Sequence, residues 1–226
     1  MQTIQGVILD VDGTLVNSND AHARAWVEAL AENGISVPFE MIRGLIGMGG
    51  DKLLPRAAGL EESSEKGKQI SDRRGQIFKD KFLPRLKPFA GAKELLERMH
   101  SEGLRLVVAS SAKEDELKPL LKLCGADSLV ESKTSSDDAD NSKPDPDIVR
   151  AALRKLKLKP SEVLMLGDTP YDIEAAARSG VATVALRCGG WTDAKLVGAV
   201  AVYQNTADLL IRYDSSPFAR LLAPKL

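Results

Sequence analysis

Two aspartates near the start of the chain are the residues whose types and spacing most directly suggest chemistry. Asp10 and Asp12 follow the apolar run 7–9 and precede Gly13 and Thr14. Two carboxylates so close together at the end of a buried strand repel each other and lose hydration, so they need a cation or a shared proton. A magnesium ion would meet both needs. The alternative is a solvated Asp-Gly turn, which is common after a strand.

Three further segments carry side chains suited to the same chemistry. Ser110 and Ser111 end one apolar run, Asp168 and Asp172 follow another, and Lys143 lies between a serine and a proline just before a helical pattern. Each also has an ordinary explanation: Ser110 as a helix cap, Lys143 as a solvated loop lysine, Asp168 as an acid at a helix N-terminus. Together they supply what phosphoryl transfer needs, namely carboxylates, a lysine, a hydroxyl and an anion-binding helix start.

The elements that must position these residues form an alternating pattern of strands and helices. Strand candidates are residues 7–9, 104–109, 163–166, 181–186 and 199–203, and helix candidates are residues 91–101, 113–123, 145–157, 171–179 and 205–212. This alternation predicts an α/β protein with a Rossmann-like, doubly wound parallel sheet. Functional groups in such a sheet collect just beyond the carboxyl ends of the strands, where the candidate residues stand.

A block of charged helical patterns without a convincing strand interrupts this alternation. We expect an inserted all-α helical cap domain over residues 17–87, and a catalytic core over residues 1–16 plus 88–226. The outgoing linker is predicted at residues 16–20. The return linker is predicted around residues 84–88, which carry a proline at each end.

Inside this block, the helix candidates are a segment that ends at Gly34 and residues 38–46, 51–58 and 61–82. The loop between the second and third candidates contains Gly47, Gly49 and Gly50. It lacks the spacing of a nucleotide P-loop, and we expect it to be a flexible cap loop that faces the active site. The charge run at residues 61–82 is predicted to be a solvated helix face. Further along the chain, residues 132–141 are predicted to be a loop.

Composition and charge exclude several classes of protein. The chain has 226 residues, of which 43% are hydrophobic and 28% charged, as expected of a globular protein with a sizeable core. The net charge of −1 and the aromatic content of 4% argue against nucleic acid as a partner. No apolar stretch reaches the length of a membrane span, and the two cysteines are expected to be reduced thiols. The expectation is a cytoplasmic protein with a small-molecule partner, and a monomer is the default.

The four motifs, in this order and spacing, resemble those of the haloacid dehalogenase superfamily of aspartate-nucleophile phosphatases. The resemblance covers nearly the whole chain. The helical insertion after the first motif, and residues 20–26 at its entrance (DAHARAW), are similar to the branch that includes phosphoglycolate phosphatase and beta-phosphoglucomutase. The resemblance therefore implies both the fold and a chemical class.

Catalytic roles follow from the resemblance. It implies that Asp10 is the nucleophile that becomes an aspartyl phosphate and that Asp12 is the general acid and then the general base. It further implies that Ser110 and Lys143 hold the phosphoryl oxygens. For these roles Asp10 must be ionised, so a cation and Lys143 should lower its pKa, whereas Asp12 must carry a proton when the leaving group departs.

The same resemblance implies sites for the phosphate and for Mg²⁺. Further donors to the phosphate would be Gly13, Thr14 and Ser111. The ligands of Mg²⁺ would be Asp10, the carbonyl of Asp12, and Asp168, with Asp172 acting through water. Magnesium prefers such a set of one or two protein carboxylates with water and phosphate oxygen.

Two cap residues have open interpretations. His22 is either a histidine satisfied within the first cap helix or a hinge or proton-relay residue. Arg43 is either a contact to a second anionic group of the substrate or an ordinary surface arginine.

The sequence favours a magnesium-dependent phosphatase of small soluble phosphate monoesters. Asp12 argues for a phosphate ester over a carbon–halogen bond, because an alkoxide leaving group needs a proton and a halide does not. The alternatives are a beta-phosphoglucomutase-like phosphosugar mutase, in which the phosphoryl group returns to the substrate, and a non-catalytic module that binds a phosphorylated metabolite. Phosphoglycolate, hexose phosphates and nucleoside monophosphates all stay open as substrates.

Overall fold

A parallel sheet of six strands forms the centre of the molecule. The structure, a computed structural model, describes residues 3–219. The strands are β1 (Gly6–Leu9), β2 (Arg105–Ala109), β3 (Ser132–Thr134), β4 (Val163–Gly167), β5 (Ala182–Leu186) and β6 (Ala201–Tyr203). Their order across the sheet is β3-β2-β1-β4-β5-β6, and every pairing is parallel. This confirms the predicted doubly wound α/β fold.

Strand β1 lies where the strand order reverses, between β2 and β4. Ligand sites of doubly wound sheets form at such a reversal, outside the carboxyl ends of the strands. Asp10, Ser110 and Asp168 each come directly after one of these three adjacent strands. The topology therefore brings together residues that are far apart in the sequence.

Helices cover both faces of the sheet. The helices that cover the sheet are α5 (Ala92–Ser101), α6 (Glu114–Leu123), α7 (Asp147–Leu156), α8 (Pro170–Ala177) and, after β6, α9 (Thr206–Ile211). Successive side chains of a strand point to opposite faces, so Val7 and Leu9 pack in one core layer and Ile8 packs in the other. Helices α7 and α8 contribute to the layer of Ile8, and α5, α6 and α9 to the other. Burial on both faces explains the nearly continuous apolar runs of the central strands.

The segment between β1 and α5 contains four further α-helices and no strand of the sheet. These helices are α1 (Asn19–Glu32), α2 (Phe39–Arg43), α3 (Gly50–Ala58) and α4 (Glu65–Ile77), and the last continues as a turn of π-helix over Phe78–Phe82. The two chain crossings run antiparallel beside each other. The Asn17 amide donates to the Lys87 carbonyl at 3.1 Å, and the Phe89 amide donates to the Leu15 carbonyl at 2.9 Å. The two expected linkers are thus tied together where the chain leaves and re-enters the core.

Residues 132–141, predicted to be a loop, contain strand β3, so that prediction was wrong. The residues of β3 are polar, so the sequence has no apolar run that would indicate a strand. As an edge strand, β3 pairs with one neighbouring strand only. Val107 pairs with Ser132 in the register, and the Ser110 amide donates to the Thr134 carbonyl at 3.0 Å. The edge strand therefore helps to fix Ser110 at the end of β2.

The charged segment 61–82 also differs from its prediction. Helix α4 begins at Glu65, because Ser64 caps it by accepting from the Gly67 amide at 3.1 Å. One face of α4 is buried and includes Ile70, Arg74 and Ile77. The solvated-face prediction was therefore wrong for this face, where helical spacing places apolar, small and charged residues against the rest of the protein.

None of the helices between residues 3 and 219 combines the length and the apolar character that a membrane crossing requires. Of the tail after Ser215, only the part up to residue 219 is described, and Phe218 in it is buried.

Candidate active site

Lys143 is buried among carboxylates at the carboxyl edge of the sheet. Its Nζ lies 2.6 Å from Asp10 Oδ1 and 2.8 Å from Asp172 Oδ1, and its side chain is 1% exposed. Burial opposes the charge on Lys143, but Asp10 and Asp172 outweigh burial and raise the pKa of the ammonium group. Lys143 is therefore a fixed cation inside the protein and not a solvated loop lysine.

Asp10 and Asp168 lie on either side of one hydroxyl. Thr14 Oγ1 is 3.0 Å from Asp10 Oδ2 and 2.8 Å from Asp168 Oδ1, and its single proton serves one of them at a time. Burial is the main cause that raises the pKa of Asp10 to about 7, opposed by Lys143 and reinforced by Asp172. Burial, with Asp10 and Asp172 adding to it, also raises the pKa of Asp168 well above its usual range. The cluster therefore has more negative charge than Lys143 balances.

The donors around this cluster suit a hard divalent cation. Asp10, Asp168 and Asp172 each offer a carboxylate oxygen, and these oxygens lie within 4.8 Å of one another. Asn19 Nδ2 donates to Asp168 Oδ2 at 2.9 Å, whereas the buried Asn19 Oδ1 has no hydrogen-bond partner in the described part of the chain. A Cβ at Gly189 would lie 1.8 Å from Asp168 Oδ2, so glycine leaves the space that this carboxylate occupies. Mg²⁺ takes oxygen ligands, usually one or two carboxylates together with water and phosphate oxygens, and the residues present fit this ion.

Asp172 is engaged through both of its carboxylate oxygens. Besides the contact to Lys143, its Oδ2 accepts from the amide of Thr169 at 3.0 Å and from the Thr169 hydroxyl at 2.7 Å. Thr169 and Asp172 form the reciprocal cap at the start of α8. Asp172 is thus fixed at the start of α8 and holds the Lys143 ammonium group in position.

Asp12 has a different environment from Asp10. His22 Nε2 lies 2.8 Å from Asp12 Oδ1, and the hydroxyl of Ser18 donates to the same oxygen. The His22 ring stacks on Phe78 with ring centroids 3.9 Å apart. Burial acts to raise the pKa of Asp12, but His22 and Ser18 outweigh it, and the net direction is downward. His22 is therefore a buried partner of Asp12 and links it to the cap helices.

The predicted phosphate-binding serines, Ser110 and Ser111, line the same cavity as Asp10 and Asp12. Ser110 is buried, and its Oγ accepts from the amide of Ala112 at 3.1 Å. Ser111 donates to the carbonyl of Gly47 at 3.2 Å. Helix α6 starts only at Glu114, so the turn after β2 and not the helix itself supplies the amides nearest to Ser110.

The glycine loop of the inserted segment lies beside the carboxylates. Gly47, Gly49 and Gly50 line the same cavity as Asp10 and Asp12. The Gly49 amide donates to Ser142 Oγ at 2.9 Å, beside Lys143. Gly47 has a φ of 109°, and a Cβ there would lie 2.8 Å from the Thr169 side chain, so this position requires glycine.

Arg43 is not brought to this cavity. Its Nε forms an ion pair with Asp20 at 2.7 Å, and its Nη2 donates to the Gly189 carbonyl. A separate surface cleft contains it, next to Trp191. In the structure Arg43 therefore joins the helical insertion to the core and does not face Asp10.

Sequence reasoning missed several residues of the site. Ser18 and Asn19 lie at the start of α1, in a segment whose sequence predicts only a linker. Arg74 and Glu116 line the cavity from α4 and α6. Trp26, which belongs to the motif quoted at residues 20–26, lines it from α1. The helical spacing of Arg74 with Ile70 and Ile77 was a signal for burial, but no local signal pairs Arg74 with Glu116, 42 positions away in the chain.

Comparison with known proteins adds independent information. A family model described as haloacid dehalogenase-like hydrolase matches residues 7–186. Phosphoglycolate phosphatase from Rhodospirillum rubrum is 30% identical over 216 residues, which cover 91% of this chain and 89% of that protein. SUPPRESSOR OF QUENCHING 1, a chloroplastic protein of Arabidopsis thaliana, is 30% identical over 81% of this chain, which spans only 18% of that protein. The crystal structure of a hydrolase from Pseudomonas syringae matches with a TM-score of 0.87 and 31% identity, over 93% of this chain and 98% of that one.

Proposed function

Because the chain belongs to the haloacid dehalogenase-like hydrolase family, we propose that it is a magnesium-dependent phosphatase of small phosphate monoesters that works through an aspartyl phosphate. One observation carries the proposal. Asp10 lies at the cavity in contact with the buried ammonium of Lys143 and close to a second carboxylate, Asp12, that has its own partner in His22. Without a cation or substrate, burial raises the pKa of Asp10, whereas His22 outweighs burial and lowers the pKa of Asp12. The proposed roles need the opposite order, which a cation beside Asp10 and a substrate phosphate beside Asp12 would produce.

In the first step, the Asp10 carboxylate attacks phosphorus, and the bond between phosphorus and the ester oxygen breaks. Lys143 and Ser110 would stabilise the charge that develops on the phosphoryl oxygens. Lys143 is pre-positioned for this by Asp172. The other expected donors are engaged within the protein: the Gly13 amide donates to the Val16 carbonyl at 2.8 Å, the Thr14 hydroxyl to Asp10 or Asp168, and the Ser111 hydroxyl to the Gly47 carbonyl. The product of the step is a phosphoryl group covalently bound to Asp10.

Asp12 handles the protons. The phosphate dianion of the substrate favours the protonated form of Asp12, which donates its proton to the departing alkoxide oxygen. Asp12 then accepts a proton from the water that attacks the aspartyl phosphate, and the bond between phosphorus and Asp10 breaks. The His22 and Ser18 contacts hold Asp12 in one orientation for both proton transfers.

Mg²⁺ would be held by Asp10, Asp168 and the Asp12 carbonyl, with Asp172 acting through water. When bound, it neutralises charge on the phosphoryl oxygens and favours the ionised form of Asp10. The raised pKa values of Asp10 and Asp168 support a cation at this cluster, because one lysine does not balance these carboxylates.

The helices between residues 17 and 87 would act as a cap that opens to admit substrate and closes to exclude water. The two adjacent connecting segments at Asn17 and Lys87 could act as a hinge, because they are the two covalent connections between residues 17–87 and residues 1–16 and 88–226. The contacts of Gly47 and Gly49 with Ser111 and Ser142 correspond to the closed arrangement.

The test is phosphate release from a panel of phosphate monoesters, with and without Mg²⁺, by the wild type, Asp10→Asn and the control Asp127→Asn. Asp127 is exposed, so the control makes the same chemical change away from the cavity. We expect magnesium-dependent release that Asp10→Asn abolishes and the control retains. Exchange of phosphate between positions of a sugar phosphate without release would instead indicate a mutase. Binding of esters without turnover would indicate a non-catalytic module.

A further inference from the structure

One charged pair in the cavity has no part in the steps described above. Arg74 of α4 and Glu116 of α6 form an ion pair with Nη1 and Oε2 2.7 Å apart. Arg74 is 8% exposed and Glu116 is 1% exposed. Both line the cavity that contains Asp10 and Asp12, and they reach it from the inserted helices and from the core, respectively. The pair therefore belongs to the part of the cavity that the cap completes.

The pair is costly as a purely structural feature. Burying two charges is often no better for stability than apolar packing, even when the pair is well formed. In addition, the buried Arg74 Nε has no hydrogen-bond partner among the described residues. An unsatisfied buried donor destabilises a folded protein. The ion pair with Glu116 therefore leaves part of the Arg74 guanidinium without a partner, in a residue that lines the cavity.

The charge balance indicates what kind of group the pair could bind. Among the described residues that line this cavity, Arg74 is the one arginine or lysine, and Glu116 already neutralises it. A substrate carboxylate at Arg74 would lie beside the carboxylate of Glu116 and would lose much of the attraction. A hydroxyl group, by contrast, can accept from an arginine N–H and donate to a carboxylate oxygen.

The surroundings of the pair are also suited to a hydroxyl-bearing carbon skeleton. Trp26 lines the cavity, and the Arg74 guanidinium lies over its ring at 5.1 Å. The indole offers an apolar surface next to a donor and an acceptor, a combination typical of small-molecule sites. Arg43, the other arginine considered for a second anionic group, is committed to Asp20 and Gly189 outside this cavity.

We propose that Arg74 and Glu116 recognise the leaving group of the substrate and select a neutral, hydroxyl-bearing one, such as a sugar or polyol, over one that carries a carboxylate. The inference rests on the proposed phosphatase function and specifies its substrate class. It treats the two residues as specificity-determining, since neither touches the reacting phosphorus.

The experiment compares two esters that differ only at the far end of the leaving group. Glycerol 3-phosphate ends in a hydroxymethyl group, and 3-phosphoglycerate has a carboxylate in the same place. The readout is the ratio of kcat/KM for glycerol 3-phosphate to that for 3-phosphoglycerate. Because both esters are measured on one preparation, a partly unfolded fraction cancels from the ratio.

We expect the wild type to favour glycerol 3-phosphate by about tenfold or more, since like charges held side by side oppose binding. Glu116→Gln leaves the Arg74 charge uncompensated and should lower the ratio by about tenfold. Arg74→Gln leaves the Glu116 charge uncompensated and should raise the ratio. The double variant removes both charges and should lie between the two single variants.

Matched controls make the same substitutions at positions that do not line the cavity. Glu94→Gln lies on α5, and Arg73→Gln lies next to Arg74 on α4 but pairs with Glu32. Both should leave the ratio at the wild-type value. A wild type that releases phosphate with Mg²⁺ but prefers 3-phosphoglycerate, or a ratio that Glu116→Gln leaves unchanged, would overturn the inference while the phosphatase stands. Release from no ester of the panel, glycerol 3-phosphate included, would overturn the proposed function and this inference with it.

Discussion

The two ends of the cavity hold buried charge in different ways. At the core end, the carboxylates of Asp10, Asp168 and Asp172 lie together with the single ammonium of Lys143. At the cap end, Arg74 and Glu116 are matched one to one. An excess of negative charge requires another cation to be stable at neutral pH, whereas a matched pair does not. The difference explains why we assign a metal and a phosphate to one end and a neutral leaving group to the other.

The largest effect in this comparison is expected from Lys143→Gln. The change leaves Asp10 and Asp172 without their shared cation, and truncating one partner of a buried ion pair costs about 3–5 kcal/mol of stability. It also removes a fixed charge that would stabilise the transition state, for which a loss of about 10²–10³-fold in kcat is expected. Phosphate-release kinetics and urea unfolding measure the two effects.

The control for this change is Lys66→Gln on the exposed side of α4. It should change stability by less than about 0.5 kcal/mol. If Lys143→Gln were equally mild in both measurements, the core end would not depend on Lys143 for charge balance.

A second prediction separates activity from stability at the core end. Asp168→Asn should lower phosphate release by about 10²-fold or more, since it removes a ligand of the proposed cation. The same change should raise the melting temperature in EDTA, because it removes one of several mutually repelling buried carboxylates. Asp127→Asn should alter neither value. A loss of stability in EDTA that parallels the loss of activity would show that Asp168 is structural instead.

The third and smallest expected effect is a pH dependence of stability. Burial raises the pKa of Asp10 to about 7 and that of Asp168 in the same direction, so both carboxyls hold protons more tightly in the folded state than in the unfolded state. Stability in EDTA should therefore fall as pH rises from 5 to 8, by about 4–8 °C in melting temperature. Mg²⁺ should restore more stability at pH 8 than at pH 5. The lowered pKa of Asp12 acts below this range and does not offset the trend.

Scanning calorimetry across this pH range, with EDTA and with Mg²⁺, measures the effect. A melting temperature that rises with pH in EDTA would contradict an excess of negative charge at the core end. Asp168→Asn should flatten the profile, which tests whether the slope originates at this cluster.

The two ends of the cavity also differ in how well the sequence predicts them. Asp10, Ser110 and Asp168 each follow an apolar strand, and a parallel sheet necessarily gathers such positions at one edge. The core end was therefore predictable from local patterns. The short edge strand β3 was missed because its residues, Ser132 to Thr134, lack an apolar signal, although pairing with β2 decides its conformation.

The cap end could not be predicted in this way. Arg74 and Glu116 come from helices on different parts of the chain, and their pairing depends on how the inserted helices pack on the core. Asn19 likewise contacts Asp168 through a tertiary contact across 149 positions. The position of such side chains depends on helix packing, so their distance in sequence from the strand ends does not identify them.

The most direct test of the account is to locate the phosphoryl group during turnover. The wild type, with Mg²⁺ and a phosphate ester labelled in the phosphoryl group, would be acid-quenched within a single turnover and then digested and analysed by mass spectrometry. The account predicts label on the peptide that contains Asp10, and no labelled protein from Asp10→Asn. Label on another residue, or phosphate release at the wild-type rate from Asp10→Asn, would contradict it.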